Sequence, residues 1–142
     1  MKKKTISPDE LIKTAQTLLK KRYMKEGHHF VVSAALVTES GNVYSALHLG
    51  TNQPSLATCA EIITIGHAAT AEKDMKIKMI VAVRDEDGYI ISPCGKCREY
   101  IADYGPDAEV IMPAENEKGY EIVHISELIP NKYKKRVKTC KS

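Results

Sequence analysis

Apolar residues recur at helical spacing early in the chain: Leu11, Ile12, Ala15, Leu18, Leu19 and Tyr23 fall on one side of a helix reaching Lys25. Ahead of them, Ser7-Pro8-Asp9-Glu10 sets out an N-cap serine, a first-turn proline and the glutamate of a capping box. A helix is predicted to start there and to end at Gly27. The period then changes. Residues 30–38 are apolar and β-branched, Glu39-Ser40-Gly41-Asn42 is turn chemistry, and residues 43–49 resume the pattern, which predicts an antiparallel hairpin. Residues 50–57, with Asn52, Gln53 and Pro54, show no period and read as a loop.

Thr58 and Glu61 repeat the capping-box spacing at the head of an apolar, small-residue segment, 62–69, and predict a buried helix with Cys59 at its N-terminus. Residues 77–84 are nearly unbroken apolar, as in a strand covered on both faces. A turn at Asp85-Glu86-Asp87-Gly88 and the short run Tyr89-Ile90-Ile91 follow. Ser92-Pro93 predicts a further N-cap and first-turn proline, opening a helix that carries Cys94 and Cys97 and closes at Gly105-Pro106. Residues 110–112 and 120–125 read as short strands, and 126–129 as one helical turn before Pro130. The order αββαβαββα predicts an α/β chain whose mixed, five-stranded sheet is covered by helices.

The chain has 142 residues, 43% hydrophobic and 27% charged, which fits one domain over 1–142 with a basic C-terminal tail at 131–142. A core of this size holds without disulfides or a structural metal, so a metal would serve chemistry. The longest apolar runs, 30–38 and 62–71, fall short of the ~20 residues a membrane span needs. Lys2, Lys3 and Lys4 lead into Ser7, Pro8, Asp9 and Glu10 instead of the apolar stretch of a signal peptide, so a cytoplasmic protein is expected. The net charge of +3 hides an uneven distribution. Residues 1–25 and 132–142 hold 14 Lys or Arg against Asp9 and Glu10, while the remainder holds 7 basic and 16 acidic residues. Basic ends on an acidic body read as solvated ends, and a nucleic-acid partner is not expected.

Four cysteines stand at 59, 94, 97 and 140. In a reducing compartment a Cys-x-x-Cys pair points to metal or redox chemistry before a structural disulfide. Cys94 and Cys97 share the face of one helical turn and Cys59 begins another helix, so three thiols can converge where helix N-termini favour the thiolate form that binds zinc. Three ligands leave one tetrahedral position open, as in catalytic zinc sites; Cys140, in the basic tail, has no ligand neighbour to suggest that it closes the shell. Glu61 lies two residues beyond Cys59, about 200° round a helix interior, so the two meet only at the helix start, where Glu61 suits a cap and a general base equally. The full pattern, Cys59-Ala60-Glu61 with Pro93-Cys94-Gly95-Lys96-Cys97, matches the signature of zinc-dependent nucleoside and base deaminases, whose glutamate is not a ligand.

On these motifs the sequence resembles the cytidine deaminase superfamily, and within it most of all the blasticidin S deaminases. Phe30-Val31-Val32-Ser33-Ala34-Ala35 is similar to the family's Phe-Pro-Val-Gly-Ala-Ala strand, and Glu127-Leu128-Ile129-Pro130-Asn131-Lys132-Tyr133 to its Leu-Leu-Pro-x-x-Phe ending. The resemblance implies a three-layer α-β-α sandwich, a Zn2+ cofactor on Cys59, Cys94 and Cys97, and hydrolysis of the C4 amine of a small cytosine nucleoside, with Glu61 relaying protons. It also implies a homotetramer in which Tyr133 reaches a neighbour's site. Phe30, His48, Ala60, Ser92 and Tyr133 are the candidate substrate contacts.

Two departures bear on substrate. The Asn-x-Glu that holds ribose in cytidine deaminases is His48-Leu49-Gly50 here, and glycine offers no side-chain acceptor, which turns the expectation from cytidine toward an antibiotic analogue such as blasticidin S. The arginine that often follows Cys-Ala-Glu is Ile62, leaving Lys96 or Arg98 to offset the charge of three thiolates. The other readings are a cytidine or deoxycytidine deaminase of pyrimidine salvage, a nucleic-acid base deaminase, which would need a basic channel, and a non-catalytic zinc-binding module.

Overall fold

The computed structural model describes residues 5–23 and 31–136. Helix α1 spans Pro8–Arg22, and its N-terminus is the predicted capping box: Ser7 Oγ accepts from the Glu10 amide at 3.2 Å while the Ser7 amide donates to the Glu10 carboxylate at 2.9 Å. The helix ends at Arg22 with Tyr23 as C-cap, earlier than expected; Gly27, the expected stop, lies outside the described residues. Strands β1 (Val32–Thr38) and β2 (Val43–Leu47) form the hairpin. A short 3-10 helix (Pro54–Leu56) within the expected loop, helix α2 (Ala60–Ala71), strand β3 (Ile77–Arg84), strand β4 (Tyr89–Ile91), helix α3 (Gly95–Tyr104), strands β5 (Glu109–Pro113) and β6 (Tyr120–His124) and the single turn α4 (Ile125–Leu128) complete the order.

The sheet runs β2-β1-β3-β5-β6, with β3 and β5 parallel and the other pairs antiparallel. It has six strands, not five, because β4 also joins it. β5 pairs only with Met79 and Ile80 of β3, which leaves the far end of that edge open; Ala82, Val83 and Arg84 take Ile91, Ile90 and Tyr89 as partners there. Unpaired backbone groups on a central strand cost free energy, and three residues of β4 satisfy them.

Alternation along β1 and β3 sorts the core into two layers. Ala35, Val37, Met79, Val81 and Val83 face Leu11, Ile12, Ala15 and Leu19 of α1. Leu36, Ile80 and Val110 face Ile65 and Ala68 of α2 and Ile101 of α3. Because both faces are covered, β1 and β3 are buried almost throughout, which is why residues 79–83 read as an unbroken apolar run. The result is the three-layer α-β-α arrangement.

Two helix starts differ from the sequence expectation. The N-cap of α2 is Cys59, not Thr58, and that of α3 is Cys94, not Ser92. Thr58 exchanges two backbone hydrogen bonds with Leu49, at 2.8 and 3.0 Å, so it is held in an extended bridge one residue before the helix. Neither cysteine makes a side-chain capping bond, so the capping box predicted from Thr58 and Glu61 does not form.

Candidate active site

The N-termini of α2 and α3 both end at the same place, and each offers a cysteine as its first half-helical residue. Cys97 follows in the first turn of α3 and is fully buried; Cys59 is half-buried and Cys94 exposed. The Cys59 and Cys94 sulfurs lie 3.7 Å apart, and all three sulfurs lie within 4.8 Å of one another. Zinc–sulfur bonds of about 2.3 Å in a tetrahedron put sulfurs about 3.8 Å apart, so the trio fits the ion with little movement. The free thiols differ in acidity. Burial pushes Cys97 up, reinforced by Glu61 and by the Cys59 and Cys94 thiols. Burial likewise raises Cys59. Cys94 is also opposed by burial, yet the Cys97 amide and the neighbouring thiols outweigh it and hold Cys94 below the ordinary thiol range.

Glu61 is 4% exposed and stands in the first turn of α2, where the helix start brings its carboxylate round to the thiols. Burial raises its pKa; its own amide and the Cys97 thiol pull the other way. Its own amide belongs to the first turn of α2, so the carboxylate is held at the helix start beside the Cys97 thiol.

A cavity of about 390 Å³ opens above these groups, within the usual range for small-molecule sites. Cys59, Cys94 and Glu61 line it, together with His48, Ala60 and Ser92 from the sequence expectations. His48 is buried; its Nδ1 accepts the Val32 amide at 3.3 Å, so a neutral ring carries its proton on Nε2. Thr58, Arg84, Tyr89 and Ile91 also line the cavity and were not expected. Arg84 and Tyr89 are cross-strand partners at the end of β3 and β4. The turn between those strands was legible, but its position over the helix N-termini follows from sheet register.

Other expected residues sit elsewhere. Tyr133 is 76% exposed and does not line the cavity of its own chain. Lys96 is exposed. Arg98, expected to offset the thiolates, spends its guanidinium on backbone: Nε donates to the Pro93 carbonyl at 2.9 Å and Nη1 to the Leu128 carbonyl at 3.1 Å. Phe30 lies outside the described residues, as does Cys140.

Three thiols and a buried carboxylate at one cavity define the class of site found in zinc-dependent hydrolases. The cytidine and deoxycytidylate deaminase zinc-binding region matches residues 6–113, and the chain belongs to that family. A blasticidin-S deaminase from Bacillus cereus is 38% identical over 134 residues, covering 87% of this chain and 90% of the relative. A cytidine deaminase from Sporosarcina psychrophila is 28% identical over 106 residues, covering 75% and 76%. Among solved structures, the cytidine deaminase from Burkholderia pseudomallei superposes with a TM-score of 0.73 at 26% identity, covering 90% of this chain and all of that one.

Proposed function

We propose that this chain removes the C4 amine of a cytosine nucleoside by hydrolysis, with a preference for blasticidin S over cytidine. The observation that carries the reading is Glu61: a buried carboxylate at the start of α2, beside three convergent thiols at a cavity of substrate size. Held by Cys59, Cys94 and Cys97, zinc supplies the Lewis acid that makes water a nucleophile near neutral pH. Glu61 takes the proton released by the attacking water and passes it to ring N3, then takes the second proton from the new C4 hydroxyl and delivers it to the departing amine. The water oxygen bonds to C4, the C4–N bond breaks, and ammonia leaves with the uracil-type product.

The walls support the substrate preference. His48 lines the cavity with Nδ1 occupied by the Val32 amide, which leaves Nε2 as its donor and assigns it to the sugar; Gly50, at the position of the family's ribose-binding glutamate, supplies no carboxylate. Such an enzyme detoxifies a cytosine antibiotic, which is the antibiotic-resistance reading. Ala60 and Ser92 line the cavity and are assigned to the substrate's base, the role the family resemblance gives Phe30 as well. We place the protein in the cytoplasm; no helix among the described residues is long and apolar enough to cross a membrane. We also assign it a homotetramer. Lys132 bridges Glu99 at 3.0 Å and Asp103 at 2.7 Å, which anchors the segment carrying the exposed Tyr133, and we assign this side chain to a neighbour's site.

A cytidine or deoxycytidine deaminase is the second reading, favoured by the fold neighbours. Incubating the zinc-loaded protein with cytidine, deoxycytidine and blasticidin S, and following the cytosine absorbance band, separates the two. Loss with blasticidin S at the highest kcat/KM is expected; rapid loss with cytidine and none with the antibiotic overturns the preference, and no loss with any of the three overturns the deaminase reading.

A further inference from the structure

Arg98 follows Cys97 directly, which makes it the nearest candidate to neutralise the metal centre by charge. Its contacts assign it another task. Nε donates to the carbonyl of Pro93 at 2.9 Å and Nη1 to the carbonyl of Leu128 at 3.1 Å, with the side chain half-buried between the two segments. The Pro93 carbonyl belongs to the planar peptide group whose other half is the Cys94 amide. Holding that oxygen fixes the plane of the peptide and so the direction in which the Cys94 side chain leaves the backbone.

Cys94 needs such a brace more than its partners. Cys97 is packed at zero exposure and Cys59 is half-buried, but Cys94 is exposed and is an N-cap without a side-chain capping bond. The Leu128 carbonyl is one of the orphan acceptors at the C-terminal end of α4, so the same guanidinium caps that turn. We infer that Arg98 is a positioning residue: its two-way fork pins the Pro93–Cys94 peptide against the end of α4 and so presets Cys94 for zinc. The inference rests on zinc being held by Cys59, Cys94 and Cys97.

Geometry and charge predict different outcomes for a lysine. Lysine keeps the charge but lacks the planar fork that reaches two carbonyls in different directions. Zinc affinity of the full chain, measured by competition with a chromophoric chelator, is therefore compared for wild type, Arg98→Lys, Arg98→Gln and Lys132→Met. Both Arg98 variants are expected to lose about 10- to 100-fold in affinity, the usual cost of removing an outer-shell contact. Lys132→Met cuts the other tether between α3 and the C-terminal segment, at Glu99 and Asp103, without touching Pro93, and is expected to bind zinc as wild type does. Thermal melts of the metal-free proteins provide the second readout. Wild-type affinity in Arg98→Lys overturns the inference in favour of charge. An equal loss in Lys132→Met overturns it in favour of general docking of the C-terminal segment, and lowered metal-free melting with unchanged affinity reduces Arg98 to a structural role. A wild-type chain that fails to bind zinc sinks the zinc reading itself, and the inference with it.

Discussion

The starts of α1 and of α2 and α3 occupy the same structural position and are built in opposite ways. At α1, Ser7 and Glu10 satisfy each other's orphan backbone donors, the acidic first turn complements the helix dipole, and the helix lies over an apolar sheet face with no chemistry. At α2 and α3, the N-cap position goes to a cysteine that makes no side-chain capping bond, and in α3 the first-turn amide of Cys97 faces the Cys94 sulfur. A serine or aspartate there would stabilise each helix by about 1 kcal/mol. The chain forgoes that contribution at the two helix ends where the three thiols could hold a metal ion. The far end of α2 shows where anchorage comes from instead: the Glu72 carboxylate accepts from Thr38 Oγ1 at 3.1 Å, Asn42 Nδ2 at 3.0 Å and the Tyr44 hydroxyl at 3.3 Å, holding the helix to the β1–β2 hairpin.

Exchanging the two designs is the sharpest way to break this contrast. Cys94→Ser places a good capping residue where the ligand was. Zinc affinity should fall by more than the ~100-fold upper cost of outer-shell changes, and turnover with it, while the metal-free protein should melt higher, by an amount up to about 1 kcal/mol. Chelator competition and thermal melts read the two effects, and a metal-free protein that melts lower would remove the trade between cap and ligand. Glu61→Gln keeps the shape of the α2 start but removes the proposed proton carrier. Its kcat should drop about 10²- to 10⁴-fold with zinc content unchanged by elemental analysis; a variant that loses zinc instead would make Glu61 part of the metal site.

At the conventional helix start the consequence is confined to stability. Ser7→Ala should cost about 1 kcal/mol, or a melting shift of about 3 °C at this chain length, and leave turnover alone; altered kcat would show that the α1 face is coupled to the site. The smallest effect concerns Glu72. Hydrogen bonds from Ser40 and Asn42, then Thr38 and Tyr44, hold its carboxyl below the ordinary value. Its contribution is therefore complete above about pH 4.3, the unfolded value, and is lost as pH falls through the depressed folded value. Glu72→Gln should flatten that part of the acid limb in melts taken between pH 6 and pH 3; an unchanged limb would assign it to other carboxylates.

The contrast also explains which elements could be read from the residues alone. The α1 start was legible because its cap lies within four consecutive residues and depends on nothing else. Thr58 carries an equally good local signal with Glu61, yet the Leu49 bridge, nine residues earlier in the chain, takes its backbone and shifts the helix start to Cys59. Strand β4 was legible as Tyr89-Ile90-Ile91, but its membership of the sheet depends on how little of the β3 edge β5 covers.

By itself, the sequence determined the residue types of the centre, because Cys59-Ala60-Glu61 and the Cys94–Cys97 pair each sit within one helical turn and carry their geometry locally. Only the tertiary structure decided that His48, Arg84 and Tyr89 share one cavity, and that Arg98 grips Pro93 and Leu128 instead of facing the sulfurs. Those contacts join segments brought together by sheet register and by the docking of α4, and spacing along the chain carries no record of either.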